Sequence, residues 1–522
     1  MDVVIGIDTG TTATKAIAAG LDCVVRAQKS VHYPLSVPGP GRAELDPDQL
    51  RDAAVEALVD VARQCRENGD RVVAVSLSAF LHGLVPMDAA GRPLGPLVTW
   101  ADNRAGAQSE QIVASGRANA LQARTGTPVH PMSPLAKLAW WNATDPGTLR
   151  ATPRWGGVKE LVLAGLAREP SLLDLSVASG TGLYDIHDRR WDPEALEIAG
   201  VRPDQLAQVV PTTRTLRLHD EVATAAGLPT GTPLVIGGAD GPLANLGVGA
   251  TPAGVAAVSL GTSGALRTVV NAPTADKSGR LFCYALTEDR WVIGGAVNNA
   301  GSVIRWAGQT FLPDGDDGEG ADGRDARLLD EAAGITAGSE GLLCLPYLLG
   351  ERAPWWRAGL RGAYLGLRRE HGRAHLVRAA VEGVCQQLAL VRDTFADEGI
   401  AVNEIRATGG AVASDLWVRT LAAATDLPVA VADNPEGTAL GACLLGLHAL
   451  GELPDLDQAA ALIEFGDHTR PDPADADLYR RLRPLIERSV LAVTDVLAEL
   501  DALAPGRSPG TEKAVPAVPA GG

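Results

Sequence analysis

The stretch Val3-Val4-Ile5-Gly6-Ile7-Asp8-Thr9-Gly10-Thr11-Thr12-Ala13-Thr14-Lys15 constrains the fold more than any other part of the chain. An apolar, β-favouring run delivers one carboxylate, Asp8, to its end; a Gly-Thr-Thr turn follows, with Lys15 just beyond. Glycine lets a backbone approach an anion closely and adopt positive φ. Exposed backbone N–H groups and the hydroxyls of Thr11 and Thr12 can donate to phosphate oxygens. A carboxylate at a strand end can orient Mg²⁺ through water, because that ion gives up its hydration shell reluctantly. The chain contains no Gly-x4-Gly-Lys-Ser/Thr sequence, so this is not a Walker A loop. The simpler alternative is an ordinary hairpin turn after a buried strand.

At 522 residues the chain is too long for one core, and two domains of a few hundred residues each are expected. A net charge of −17 argues against nucleic-acid binding, which requires a basic footprint, but leaves a nucleotide site open. There is no apolar run of membrane-spanning length, so no membrane partner is expected. The N-terminus enters a strand directly, without the basic and apolar regions of a signal peptide. The six cysteines are scattered without metal-type spacing and read as free thiols, which fits a cytoplasmic location.

Strands alternating with helices predict an α/β fold. Asp46-Pro47 opens a helix with apolar positions at Leu50, Ala54, Leu58 and Ala62, and Val72–Ser78 reads as a buried strand. His82, Trp100, Asp102, Asn103 and Arg104 form a polar cluster just after two strands, where a small-molecule site usually lies in such a domain. Together they could hold a polyol; alone, each could serve the core or a helix start. The segment from Asp174 to Gly182 reads as a loop. Pro233–Gly241 is a second apolar strand ending in a carboxylate, Asp240, and Ala256–Ala265 repeats strand, Gly-Thr turn and strand. The echo of the opening suggests an internal duplication with a cleft between the halves. Trp291–Gly301 leads into a helix through Arg305, and Asp314–Asp325 reads as a solvated acidic loop. Glu351-Arg352 is an adjacent charge pair in a Pro-bounded segment. Arg378–Phe395 reads as a long amphipathic helix; Glu404–Thr408, the Gly409-Gly410 turn and Ala413–Ala424 form a last strand-turn-helix unit.

Asp8-Thr9-Gly10-Thr11-Thr12 resembles the first phosphate motif of the actin-like ATPases. With Gly238-Ala239-Asp240-Gly241, Gly261-Thr262-Ser263, Gly350-Glu351-Arg352-Ala353-Pro354 and Gly409-Gly410, it makes the chain resemble the FGGY carbohydrate kinases over about residues 3 to 490. The resemblance implies two ribonuclease-H-like (actin-like ATPase) α/β domains around a central cleft: a sugar-binding domain over 1–246 and a nucleotide-binding domain over 247–495, with 504–522 a disordered tail. It implies ATP and Mg²⁺, a sugar or sugar-acid substrate and, by family habit, a homodimer. Asp240 would be the general base and Asp8 the metal residue. Thr11, Thr12, Lys15, Gly261 and Thr262 would hold phosphates, Gly301 and Arg305 would lie near the ribose, and Gly409, Gly410 and Ser414 would border adenine. His82, Trp100, Asp102 and Arg104, with Asp240, would contact the substrate.

Within the family, the Thr99–Arg104 and Ser78–His82 segments are most similar to gluconokinases, which convert D-gluconate to 6-phosphogluconate. Those usually carry Met before the histidine and Ser after it, whereas Leu81 and Gly83 stand here, and His82-Gly83 is similar to xylulokinases. Arg104, Lys159 and Arg267 are all candidates for binding a substrate carboxylate. An acceptor-independent actin-like ATPase is the alternative from another functional class.

Overall fold

The computed structural model describes residues 1–169, 171–312, 321–432 and 436–503. The tail from Ala504 and most of the expected acidic loop lie outside these residues. The described end of that loop, from Ala321 to Asp325, is the first turn of a helix, Ala321–Ala333, and not loop.

The first sheet opens with an antiparallel meander: β1 (Asp2–Thr9), β2 (Ala13–Ala19) and β3 (Val25–His32). Helix α1 (Pro47–Glu67) then crosses to β4 (Arg71–Ala79), which runs parallel to β1. Asp46 caps α1, accepting the N–H groups of Asp48 and Gln49, and Pro47 supplies a preset φ at the first helical position. After a largely helical insertion the chain returns through β5 (Thr215–Arg217) and β6 (Pro233–Ala239), then enters α2 (Asp240–Gly247). The six strands lie in the order β5-β6-β4-β1-β2-β3. Both faces of β1 are covered, so Val3, Val4, Ile5 and Ile7 are all buried and the strand reads as a continuous apolar run.

The second sheet contains β7 (Val255–Leu260), β8 (Gly264–Val270), β9 (Phe282–Ala285) and β10 (Trp291–Val297). After α3 (Gly301–Phe311) and α4 (Arg373–Asp397) come β11 (Glu404–Thr408), α5 (Asp415–Thr425), β12 (Val429–Val431), α6 (Gly437–Ala449) and α7 (Pro473–Leu503). The order is β9-β10-β8-β7-β11-β12. β7 pairs antiparallel with β8 and parallel with β11, and β11 pairs parallel with β12, repeating β1, β2, β4 and β6 of the first sheet. The duplication is therefore real, and it restarts at β7; the Pro233 strand completes the first sheet.

Two further segments differ from their sequence reading. Asp174–Gly182 is not loop: Leu172–Asp174 is a short strand, and Asp174 caps the helix Leu175–Ser179. Helix α4 is buried on nearly all sides from Val377 to Val391, because sheet strands β8 and β10 and helices α5 and α7 all pack on it.

Helices α2 and α6 cross between the sheets at closest range. A Cβ on Gly247 would lie 1.6 Å from the Gly437 carbonyl oxygen, and one on Gly441 would lie 1.9 Å from that of Leu243. Although it follows the second sheet in sequence, α6 lies on the first: the Cys443 thiol donates to the Val4 carbonyl at 3.3 Å. Val4, Ile17, Leu243, Trp291, Leu440 and Leu444 consequently share one core that joins the lobes. No helix among the described residues is long and apolar enough to cross a membrane.

Candidate active site

Strands β1, β4 and β6 run parallel, so their C-terminal ends open on one side of the sheet, where ligands bind in α/β folds. Asp8 is the penultimate residue of β1, and Asp240 directly follows β6. The Ser78 hydroxyl on β4 donates to Asp8 Oδ1 at 2.7 Å. Burial pushes the Asp8 carboxyl up to about 6; the Ser78 bond opposes this and the Asp240 charge adds to it. Burial also raises Asp240, against the nearby Arg267 charge, the N–H groups of Gly241 and Leu81, and Arg352.

A buried lysine sets the end of β6. Lys159 Nζ donates to the carbonyls of Ile236 at 2.7 Å and Gly238 at 3.1 Å, bracketing the register break at Gly237. Gly237 has φ +75°, and a Cβ there would meet the Leu77 carbonyl at 1.7 Å, so only glycine fits. Lys159 also lies 3.4 Å from Asp174, both fully buried.

His82 holds a left-handed backbone, φ +70°, with its carbonyl accepting from Lys137 Nζ at 2.6 Å. Its ring partner is the Gly180 carbonyl, 2.8 Å from Nδ1, so Nδ1 carries the proton and Nε2 the lone pair. Burial and the neighbouring Lys137 charge push the imidazole down to about 3, keeping it neutral. Lys137 itself donates a second bond to the Met132 carbonyl at 2.8 Å and is pushed down to about 7 by burial. Tyr284 lies edge-on to His82, 6.0 Å between ring centres. His130 Nδ1 accepts the Met132 N–H at 3.3 Å, and its buried Nε2 has no partner among the described residues.

The Trp100 indole N–H donates to Thr11 Oγ1 at 2.9 Å and so ties this cluster to the first phosphate-type turn. The Arg352 guanidinium, from the other lobe, lies 5.6 Å above the Trp100 ring and donates to the Val297 carbonyl at 3.1 Å. Its neighbour Glu351 is fully buried and accepts from the Asn298 N–H at 2.6 Å and from Asn299 Nδ2 at 3.0 Å. The Glu351-Arg352 pair therefore has two tasks: one residue fixes a turn and the other enters the cleft.

Asp102 and Arg104 take a different place from the substrate contacts expected of them. Asp102 is fully buried and accepts from the Ala43 N–H at 2.8 Å and from Arg104 Nε at 2.8 Å. Arg104 also pairs with Glu44 and covers the Trp140 ring. Together they form a closed strut behind Trp100, with the guanidinium saturated by two carboxylates.

On the opposite wall, the exposed Gly261-Thr262 turn joins β7 to β8. The start of α3 is knitted to it: Gly301 N–H donates to the Gly261 carbonyl at 2.9 Å and Ser302 N–H to that of Thr262 at 3.1 Å. Gly409 has φ +108°, and a Cβ there would lie 2.4 Å from the Leu260 carbonyl, so the Gly409-Gly410 turn packs directly on the strand feeding the Gly261 turn. Nothing lies within 4 Å of a Cβ built on Gly410, leaving an open glycine surface. Ser414 stands at the start of α5, its side chain making no capping bond. Thr12 is exposed, Lys15 Nζ is paired with Glu436 at 2.9 Å, and Arg305 Nε is paired with Asp325 at 2.7 Å.

The cleft thus gathers Asp8, Asp240, His82, Trp100 and Thr11 from the first lobe and the Gly261 and Gly409 turns from the second. Arg352, Lys137, His130 and Tyr284 were not singled out from the sequence as site residues. The only signals were the Glu351-Arg352 pair and, for Lys137, a lone cation in an otherwise apolar helix.

The sequence model of the FGGY carbohydrate kinase N-terminal domain matches residues 3–247, and that of the C-terminal domain matches residues 256–450. A gluconokinase of Bacillus subtilis (strain 168) is 38% identical over 487 residues, covering 92% of this chain and 94% of its own. The crystal structure of a gluconate kinase from Lactobacillus acidophilus superposes with a TM-score of 0.89 at 31% identity, covering 96% of this chain and 99% of its own. A ligand-bound xylulose kinase from the same organism gives the same TM-score, 0.89, at 31% identity, covering 96% of this chain and 100% of its own.

Proposed function

The chain belongs to the FGGY family of carbohydrate kinases, and from that premise we propose that it transfers the γ-phosphoryl group of ATP to the terminal hydroxyl of D-gluconate, giving 6-phosphogluconate. The observation that carries the choice of acceptor is the near-full-length similarity to a gluconokinase. The fold alone does not separate the two acceptors, since a gluconate kinase and a xylulose kinase superpose equally well.

Asp240 is the general base. A buried carboxylate with a raised pKa is a better proton acceptor than an exposed one, and the Arg267 and Arg352 charges oppose that rise. It takes the proton of the primary hydroxyl as that oxygen attacks phosphorus. Phosphoryl transfer asks a protein mainly for positioning and charge stabilisation. Thr11, Thr12, Thr262 and the N–H groups of the two glycine turns supply donors for the β- and γ-phosphates. Gly409 and Gly410 border adenine beside Ser414, and Gly301 lies near the ribose. Lys15 and Arg305 reach the nucleotide by exchanging their carboxylate partners.

Asp8 fits a divalent cation by the chemistry of its donor set: Ser78 occupies Oδ1, leaving a hard carboxylate oxygen beside a second carboxylate. Bound Mg²⁺ would neutralise phosphate charge. His82 Nε2 as acceptor and His130 Nε2–H as donor suit adjacent sugar hydroxyls.

The ketose reading rests on Gly83, and packing gives that residue another reason. A Cβ there would lie 2.9 Å from Val158 Cγ2 and 3.2 Å from Leu97 Cδ1, so a serine would have to displace these side chains whatever the substrate.

The test is ADP release from Mg-ATP with D-gluconate, D-xylulose, L-ribulose, glycerol or no acceptor. A kcat/KM for gluconate well above the rest is expected. A ketose preference would retain the kinase and replace the substrate.

A further inference from the structure

We infer that Arg267 binds the carboxylate of the acceptor and thereby sets a preference for sugar acids over neutral sugars; the inference rests on the function proposed above. Of the three cations the sequence offered for that task, two are used up. Arg104 is saturated by Asp102 and Glu44, and Lys159 is spent on backbone carbonyls and Asp174. Lys137 is likewise held by two carbonyls, and Arg352 is laid on Trp100.

Arg267 differs from the first three, and it shares with Arg352, whose buried Nε has no partner, the lack of an ion pair among the described residues; unlike Arg352 it is not laid on an aromatic ring there. Its one hydrogen bond among the described residues runs from Nη1 to Ser259 Oγ at 3.2 Å, and no carboxylate lies within ion-pair distance of it. The guanidinium keeps further N–H donors in a planar fork that matches a carboxylate. Its slot is built by two glycines. A Cβ on Gly294, across the sheet, would lie 2.9 Å from Arg267 Cγ, and one on Gly241 would lie 3.4 Å from Nε. Gly241 directly follows Asp240, so an arginine of the second lobe reaches the residue next to the base in the first. It is the strongest opposite charge acting on Asp240, yet it does not pair with it. Along β8, Ala265 and Arg267 share a face, and Arg267 stands one pleat, about 7 Å, farther from the Gly261 turn. An acceptor with its terminal hydroxyl at Asp240 can turn its carboxylate to the guanidinium beside Gly241.

The experiment measures kcat and KM for D-gluconate, D-galactonate and D-xylulose in wild type, Arg267→Met and Arg267→Lys, with melting curves for each. In Arg267→Met the ratio of kcat/KM for acid over neutral acceptor is expected to fall by about 100-fold, mostly through KM for the acid. Arg267→Lys keeps the charge without the fork and recovers part of the ratio. If Arg267→Met does not fold, the lysine variant carries the comparison, with a loss of about ten-fold. An unchanged ratio overturns the inference, whether neither acceptor is affected or both fall together; in the second case Arg267 serves the base or the phosphoryl group. If wild type favours galactonate and that preference depends on Arg267, the gluconate assignment fails and the inference stands. If wild type favours gluconate and Arg267→Met does so equally, the assignment stands and the inference fails.

Discussion

Asp8 and Asp240 are two buried carboxylates at one sheet edge, each held above the ordinary carboxylate range by desolvation. A fold keeps such a pair only if something other than stability needs it, so each can be separated by substitution. Asp240→Asn removes the proton acceptor and leaves the shape. Its kcat should fall by about 10³-fold with little change in KM for the sugar acid, and its melting point should not drop. Steady-state kinetics beside a melting curve read both, and wild-type turnover in this variant would sink the base assignment. Asp8→Asn addresses stability. The folded carboxyl sits at about 6 against 3.8 unfolded, so ionisation opposes folding: the cost is full above pH 6 and fades between 6 and 3.8 as protonation removes it. Ligand-free Asp8→Asn should therefore melt above wild type at pH 7, with the gap closing as pH approaches 4. Melting scans across that range check the sign.

At the level of elements, the glycine turns were the most legible part of the site, because each has a local steric reason. Gly409 holds φ +108° against the Leu260 carbonyl, and its turn is the join between β11 and the nucleotide wall. Gly409→Ala must shift that turn, so KM for ATP should rise at least ten-fold while KM for the sugar acid holds, as separate titrations of each substrate would show. Gly441→Ala instead drives a Cβ into the Leu243 carbonyl at the α2–α6 crossing, and should lower stability by the amount typical of overpacking, about 1–3 kcal/mol or more, read as a drop in melting temperature. The first glycine was singled out by motif. The second reads in sequence only as a helix of small residues, because its constraint comes from a helix about 200 positions earlier. Arg104 shows the same limit from the other side. The sequence offered it as a cation for the substrate, but Asp102 and Glu44, the latter 60 positions away, together occupy it.

At the scale of the whole molecule, local periodicity and one repeated strand-turn-strand unit were enough to anticipate two α/β lobes around a cleft. They could not show that α6 crosses back to cover the first sheet, since an apolar helix fits either lobe until the topology is known. That crossing bears on function. The lobes share a core through α2 and α6, and at the cleft they touch through Arg352 on Trp100 and Glu436 on Lys15. A hinge with a packed base and a polar mouth can narrow without unfolding, and an open mouth would admit water to compete with the sugar hydroxyl. Each ligand alone makes part of the contacts that bridge the walls, and the full set forms only with both bound. Amide hydrogen exchange should therefore slow in the Thr9–Ala13 hairpin and the Gly261–Ser263 turn far more with a non-hydrolysable ATP analogue plus gluconate than the two single-ligand effects add up to. ATP hydrolysis without an acceptor should stay below about 1% of the gluconate rate, for the same reason. Additive protection, or comparable hydrolysis with and without gluconate, would mean that the cleft works without closing.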